Sequence, residues 1–461
     1  MAQVVREVIG MGLLLGVGAL PVAAQSMALP AADPVGISRS GAQVAYGYSL
    51  EAAATNPALL ASLKEKWGIY LSAGLEMSST QQTMESEQTA VRKTYFSYDR
   101  NRALGAVGLA ARLTPTMTLG LKLDEPYLRH GKLLDDAPSR YLGDGIDLSA
   151  RRVEAQAAWA LNPNVSVGFG IGVARLSYAS TSVMRFNVPN DPTLPASALN
   201  LVNGLVEQRV GQSADKVVPS YSLGLRWAFN PRWTMGFAYQ SALKADLDMK
   251  AGFRDANLGL FANDGLSMAP VGSGTRAATL LAASQPVAAG GSTLELPSQA
   301  TIGVRHRNMP FMTWEADLRW TSANLRMQSF AAVQTPSGMI SAPGELPHGK
   351  SHLALNASTE LELGKFWTLR AGLSLEQRNV DASYTEPLLG GAPTAAFSVG
   401  AGYKIWGGEW NLGYQYRQSQ DQDTHRLTGD WSASGFQATP VNRVRMEGMG
   451  HLLALGYKMS F

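Results

Sequence analysis

The stretch Gly450-His-Leu-Leu-Ala-Leu-Gly-Tyr-Lys-Met-Ser-Phe461 decides how the rest of the chain is read. Leu453, Leu455, Tyr457, Met459 and Phe461 alternate with Leu452, Ala454, Gly456, Lys458 and Ser460. Period-two alternation sends the first set to one face of a strand and the second set to the other. The first face is uniformly large and apolar, and the second is mostly small or polar. At the edge of a soluble sheet such a strand would be adhesive. A closed transmembrane barrel has no edge, and it gives the apolar face lipid to meet.

The same alternation recurs upstream. Val165-Ser-Val-Gly-Phe-Gly-Ile-Gly-Val173, Tyr221-Ser-Leu-Gly-Leu-Arg-Trp-Ala-Phe229 and Trp410-Asn-Leu-Gly-Tyr-Gln-Tyr416 all read as strands. In Trp314-Glu-Ala-Asp-Leu-Arg-Trp320 the Trp, Ala and Leu residues face outward while Glu315, Asp317 and Arg319 face inward. Three charges on one strand face would be ruinous in a dry soluble core, whereas a water-accessible lumen tolerates them. Tight connections sit at 113–117, 161–164, 229–233, 307–311, 363–365 and 406–409, with Pro, Asn and Gly supplying turn chemistry and Trp or Phe beside several of them. Long polar loops are expected near 79–102, 125–146, 179–217, 249–297, 327–349, 379–393 and 419–446. Six tight turns and seven long loops make thirteen connections, hence fourteen strands with both termini on the short-turn side. The predicted fold is all-β: a 14-stranded antiparallel transmembrane β-barrel over 67–461.

Composition agrees with one large barrel rather than several soluble domains. The chain has 461 residues, 47 of them Gly, and charged residues make up only 16%. A formal net charge of +3 offers no electrostatic case for nucleic acid. Without cysteine, disulfides and thiolate metal sites are excluded. Residues 1–24 read as a signal peptide: Arg6, an apolar core from Met11 to Val17, then Val22-Ala23-Ala24 before a cut. Beyond them no apolar run is long enough for a membrane-spanning helix. Residues 25–66 do not alternate, and about forty non-strand residues ahead of so wide a barrel predict an internal plug.

Gly36-Ile-Ser-Arg-Ser-Gly-Ala-Gln-Val-Ala-Tyr46, followed by Ala52-Ala-Ala-Thr-Asn-Pro-Ala58, resembles the N-terminal hatch of the FadL-type long-chain fatty-acid transporters. Gly236-Phe-Ala-Tyr-Gln-Ser241, Leu296-Pro-Ser-Gln-Ala-Thr-Ile-Gly-Val304 and the C-terminal strand add to the likeness, in order along the mature chain. The terminal Phe461 is similar to the signal by which the barrel-assembly machinery of Gram-negative bacteria recognises outer-membrane barrels. The resemblance implies a monomer in the outer membrane, in contact with its lipid, that takes up hydrophobic molecules without an energy source. It implies a ligand groove between the third and fourth extracellular loops, an inner pocket, a hatch movement and release sideways through a kinked strand. In the hatch, Asn56, Pro57 and Ala58 match the motif; Asn caps the following backbone and Pro rigidifies the turn. Met27 and Leu29 match by position, as a displaceable apolar plug.

In loop 179–217, Leu194, Ala198, Leu201, Val202, Leu205 and Val206 fall near one helical face. Loop 249–297 carries Leu258, Leu260, Phe261, Leu266 and Met268. Exposed apolar loop residues either pack on one another or bind something apolar; Leu201, Leu205, Leu258, Leu260 and Phe261 are the candidate groove. A fatty-acid carboxylate needs cations, and alternation points Arg152, Arg226, Arg305, Arg319 and Arg370 into the lumen. Lys122, Lys404 and Arg417 point there too, as do Glu154, Glu315, Asp317, Glu360, Glu362 and Glu376, so mutual pairing is the bland reading for any one of them. Strict parity places Arg175 outward. The glycines of Gly168-Phe-Gly-Ile-Gly172 are inward small residues that make room for the hatch.

Neither an enzyme nor a cofactor site is expected. His130, His306, His348, His352, His425 and His451 occupy no nucleophile-elbow or metal-ligand pattern. The main rival reading is a water-filled general porin for small polar solutes, which predicts an open pore and polar loops. A surface protein that merely displays loops is a third. Residues alone do not choose among long-chain fatty acids, aromatic hydrocarbons and alkanes.

Overall fold

The structure, a computed structural model, describes residues 33–46, 50–86, 91–98, 101–132, 145–187, 205–263, 268–272, 285–288, 292–323, 326–327, 331–335, 338–342, 349–379, 393–405, 407–424 and 443–461. The signal-peptide segment, Met27, Leu29 and Leu201 lie outside the described residues.

Fourteen strands form the barrel: β1 (Trp67–Ser86), β2 (Arg102–Arg112), β3 (Met117–Lys132), β4 (Gly145–Asn162), β5 (Val165–Asn187), β6 (Leu205–Ala228), β7 (Trp233–Gln240), β8 (Gln299–Met309), β9 (Met312–Thr321), β10 (His352–Leu363), β11 (Trp367–Glu376), β12 (Thr394–Ile405), β13 (Gly408–Thr424) and β14 (Arg443–Ser460). Each pairs antiparallel with the next. β14 then pairs with β1 from Gly68↔Ser460 upward, so the fourteen strands close into a ring. The seam is sealed at the short-turn end, where the Trp67 and Phe461 backbones exchange hydrogen bonds of 2.8 and 2.9 Å.

Alternation holds strand by strand. β9 reads buried-exposed without a break from Thr313 to Thr321. Leu453, Leu455 and Phe461 face outward while Leu452, Ala454 and Gly456 face in. Trp67, Trp159, Trp227, Trp233, Trp367 and Trp410 are exposed near the short turns, as an interfacial girdle requires. Phe229 and Trp233 stack across one such turn with centroids 6.4 Å apart.

Strand length departs from the sequence reading. β5 and β6 run for 23 and 24 residues, so paired strand occupies both ends of the expected loop 179–217. The ladder continues beyond the apolar band from Ala174↔Val218 to Asn187↔Leu205, because two strands that satisfy each other's backbone groups stay paired in water. Likewise, part of the expected loop 249–297 is the strand Lys250–Asn263, and it pairs with 206–213 of β6. Leu205, Leu258, Leu260 and Phe261 therefore belong to strands rather than to a helix and a coil, and the two expected loops meet through backbone pairing.

Candidate functional site: the lumen and the inner segment

Residues 33–46 and 50–63 pack against the inward face of the barrel wall, and Lys64, Glu65 and Lys66 emerge exposed ahead of β1. Asp33 caps a five-residue helix, α1 (Pro34–Ser38), accepting from Gly36 N at 2.6 Å, with Pro34 in the first turn. Asn56 caps the 3-10 helix Pro57–Ser62: its Oδ1 accepts from Ala58 N at 3.1 Å, and Pro57 follows directly. The Asn56 amide also donates to Val44 O at 2.7 Å and to Leu225 O of β6 at 3.1 Å. One buried side chain thus joins two turns of the inner segment to the wall.

The wall grips this segment with carboxylates. Asp317 Oδ2 accepts from Gln43 N at 2.8 Å and Val44 N at 3.0 Å, and Glu315 Oε1 accepts from Ala45 N at 2.8 Å. Arg39 donates from Nη2 to Glu315 Oε2 at 2.6 Å and from Nε to Ala42 O at 2.8 Å. Its guanidinium lies 4.1 Å from the centroid of the Tyr46 ring, and the Tyr46 hydroxyl donates to Glu360 Oε2 at 2.8 Å. Burial, and next the Glu360 carboxylate, push the Tyr46 phenol up to about 12. Glu315, Asp317 and Glu360 are 2%, 0% and 5% exposed, so these charges do not face open water as the sequence reading had them; the inner segment covers them. Close approach needs missing side chains in the wall. A Cβ on Gly168 would strike the Pro57–Ala58 backbone, and one on Gly224 would strike Asn56 Oδ1.

The predicted lumen cations divide into two groups. Arg370 is consumed by Glu360 (2.7 Å), Asn411 (2.7 Å) and Glu409 (3.0 Å). Arg152 makes a bidentate pair with Asp124 at 2.9 and 2.6 Å. Arg319 is 7% exposed and donates one arm to Glu376 at 3.2 Å, while its Nε has no hydrogen-bond partner. Arg305 lies 5.3 Å from the Tyr46 ring, its Nε also without a hydrogen-bond partner. Arg226 faces inward opposite Ser166 and Gly236. Arg175 points outward and pairs with Asp215 at 3.3 Å, in keeping with its parity.

The wall is interrupted between β2 and β3. β2 and β3 pair from Arg112↔Thr118 up to Val107↔Leu123; above that, among the described residues, 102–106 pair only with β1. β3 takes an extra residue between Asp124 and Tyr127, at Glu125-Pro126, and follows β4 instead. Across the top, Arg102 of β2 reaches Asp147 of β4 at 2.7 Å, and His130 of β3 lies 3.4 Å from the same carboxylate. A window results, bounded by the ladder below and by these side chains above. Behind it lies a polar cavity of about 60 Å³, lined among others by Asp33, Tyr70, Ala106, Asp124, Arg152 and Arg319. Lys122 ties the inner segment to the window's edge: its Nζ donates to Ala54 O at 2.9 Å and lies 3.1 Å from Glu154 and 3.7 Å from Asp124.

Sequence reasoning missed the roles of Arg39, Tyr46 and the Asp124-Glu125-Pro126 bulge. A Pro placed after two acids inside an alternating run was the available signal for the last.

A model of the family described as "Outer membrane protein transport protein (OMPP1/FadL/TodX)" matches residues 17–461. Among solved structures, a FadL homologue of Pseudomonas aeruginosa superposes with a TM-score of 0.72 at 16% identity, covering 95% of this chain and 100% of that one. The P. putida toluene transporter TodX gives 0.61 at 14%, covering 95% and 99%. The Ralstonia pickettii toluene transporter TbuX gives 0.56 at 16%, covering 93% and 98%. At these identities the likeness shows the fold. No curated protein matches.

Proposed function

The chain belongs to the outer membrane protein transport family (OMPP1/FadL/TodX), an outer-membrane protein of Gram-negative bacteria, and from that premise we propose that it takes up hydrophobic compounds by diffusion, long-chain fatty acids foremost. Ligand enters between the extracellular loops, reaches the cavity above the inner segment, and leaves sideways between β2 and β3 once that segment, acting as a hatch, shifts.

The window between β2 and β3 carries this reading: the cavity inside the wall reaches Ala106 on one of its sides and Asp124 and Glu125 on the other. An apolar molecule crossing there passes from lumen to lipid without entering the periplasm. The polar lining favours an amphipathic cargo over a bare hydrocarbon. A carboxylate head would meet Arg319, whose Nε is unclaimed, while an aliphatic tail would gain nothing from that donor. Against a general porin stands the inner segment, bound to β6, β9 and β10 by buried hydrogen bonds.

Uptake of a radiolabelled long-chain fatty acid, with toluene in parallel, tests the proposal in a host lacking its own transporter. The wild-type chain is compared with an Asn56→Ala, Pro57→Ala variant shown to reach the membrane. Fatty-acid uptake weakened in the variant supports both cargo and hatch. Toluene uptake alone moves the cargo to neutral hydrocarbons. Entry of small sugars and of neither apolar compound returns the chain to the porin class.

A further inference from the structure

The bulge in β3 is pinned from both faces of the wall. Asp124 turns inward and takes two donors of Arg152, at 2.9 and 2.6 Å. Glu125, the next residue, accepts from Nε of Arg151 at 3.3 Å, and Arg151 is on the outward face with its side chain 68% exposed. Arg151 and Arg152 are consecutive in β4, so both carboxylates of the bulge are committed to the same neighbouring strand. On the other side β2 presents Ala103, Leu104, Gly105 and Ala106, none with a side-chain donor.

An extra residue alone does not decide which neighbour a bulged strand follows. Had β3 kept its lower register, Glu125 would lie beside Gly105 and the β2 ladder would close. The backbone of 102–106 would gain partners by closing, so something must oppose it. Burial makes the inner pair strong, because Arg152 and Asp124 are 3% and 9% exposed and breaking such a pair strands a charge. The outer pair is weaker because its Arg151 arm is exposed, although Glu125 itself is only 6% exposed, and it fixes the bulge against rotation about the inner one.

We infer that the Asp124–Arg152 and Glu125–Arg151 pairs are a two-faced clamp that holds β3 on β4 and keeps the β2–β3 window open. The consequence for transport rests on the lateral release proposed above; the clamp itself does not. Positioning is the role assigned to the pair, and Arg151, on the outward face, does not line the cavity.

Amide hydrogen exchange of the full chain in lipid nanodiscs, read together with fatty-acid uptake, tests the clamp. In an Asp124→Asn, Glu125→Gln variant, β3 should zip onto β2. The amides within 102–106 that point toward β3 should then exchange about tenfold or more slowly, as for a new ladder bond, and uptake should fall. A swap of the outer pair, Glu125→Arg with Arg151→Glu, should exchange like the wild type. Unchanged exchange in the neutralised variant overturns the clamp, whether or not uptake falls. Slowed exchange in the swapped variant overturns its electrostatic basis. Slowed exchange in the neutralised variant with full uptake upholds the clamp and sinks lateral release instead.

Discussion

Arg39 Nη2 lies 2.6 Å from Glu315 Oε2, and neither side chain is more than 1% exposed. The pair joins the inner segment to β9, and Glu315 simultaneously accepts from Ala45 N. Replacing Glu315 by Gln leaves the buried Arg39 charge with only the Glu360 carboxylate, 3.7 Å away, so the loss should fall below the roughly 3–5 kcal/mol of a fully stranded charge. That loss falls on seating of the segment, since β9 keeps its ladders to β8 and β10. Protease added from the short-turn side should therefore cut within 33–66 faster in Glu315→Gln than in the wild type. The barrel should keep its heat-modifiable mobility on gels.

The Gly168 site makes a second, steric prediction. Its missing Cβ leaves room for the backbone of Pro57 and Ala58, and backbone cannot rotate out of the way as a side chain can. Gly168→Ala should displace the 3-10 helix Pro57–Ser62 from the wall without touching any charged group. In planar bilayers the expected outcome is a raised ion conductance per molecule, because water replaces the displaced segment. Ala155→Gly, an outward change on neighbouring β4, should leave conductance at the wild-type level.

What was legible in the sequence follows from periodicity. Outward Leu453, Leu455 and Trp314 and inward Glu315 and Asp317 are set by a two-residue repeat, which any strand must show. Asn56-Pro57 was legible as a cap because that chemistry is local. The partners of Glu315 and Asp317 were not, because they lie some 270 residues away in an irregular segment. The lengths of β5 and β6 escaped for another reason: above the membrane the lipid no longer enforces alternation, so pairing persists without a hydropathy signal. Arg152 meets Asp124 as the last rung of the regular ladder; the shift just beyond it, between Asp124 and Tyr127, is what no repeat announces.

A pH effect follows from Asp33. Burial, and then the nearby Glu51 carboxylate, push its carboxyl up from 3.8 to about 6, against hydrogen bonds from Gly36 and Gln43 that work the other way. An acid with a raised pKa in the seated state keeps a proton that the free segment has already lost. Seating is thus favoured most below about pH 3.8, and this advantage is lost as pH rises to about 6. Exchange protection of residues 33–46 should fall across that window in the wild type. Asp33→Asn, which can still cap α1 through its amide oxygen, should remove the Asp33 contribution and leave a shallower profile.

The last prediction separates the two halves of the Asn56 side chain. Its Oδ1 serves as a cap for Ala58 N, while its amide donates to the carbonyls of Val44 and Leu225, all at a site with 0% exposure. Asn56→Ala removes both functions, leaving the Ala58 N–H and the Val44 carbonyl without these bonds and the Leu225 carbonyl with its ladder only, a loss on the order of 2 kcal/mol. Asn56→Asp keeps the cap but sets a carboxylate against two carbonyl oxygens, so at neutral pH it should be the worse of the two although it is the closer in shape. Lowering the pH protonates that Asp and restores one donor, whereas Ala gains nothing. Protease accessibility of 33–66 should therefore rank wild type, Ala, Asp from least to most at pH 7.5, with Ala and Asp exchanging places in acid. If Asp matched the wild type at neutral pH, the hydrogen bonds to Val44 and Leu225 would contribute nothing to seating, and the cap alone would account for Asn at this position.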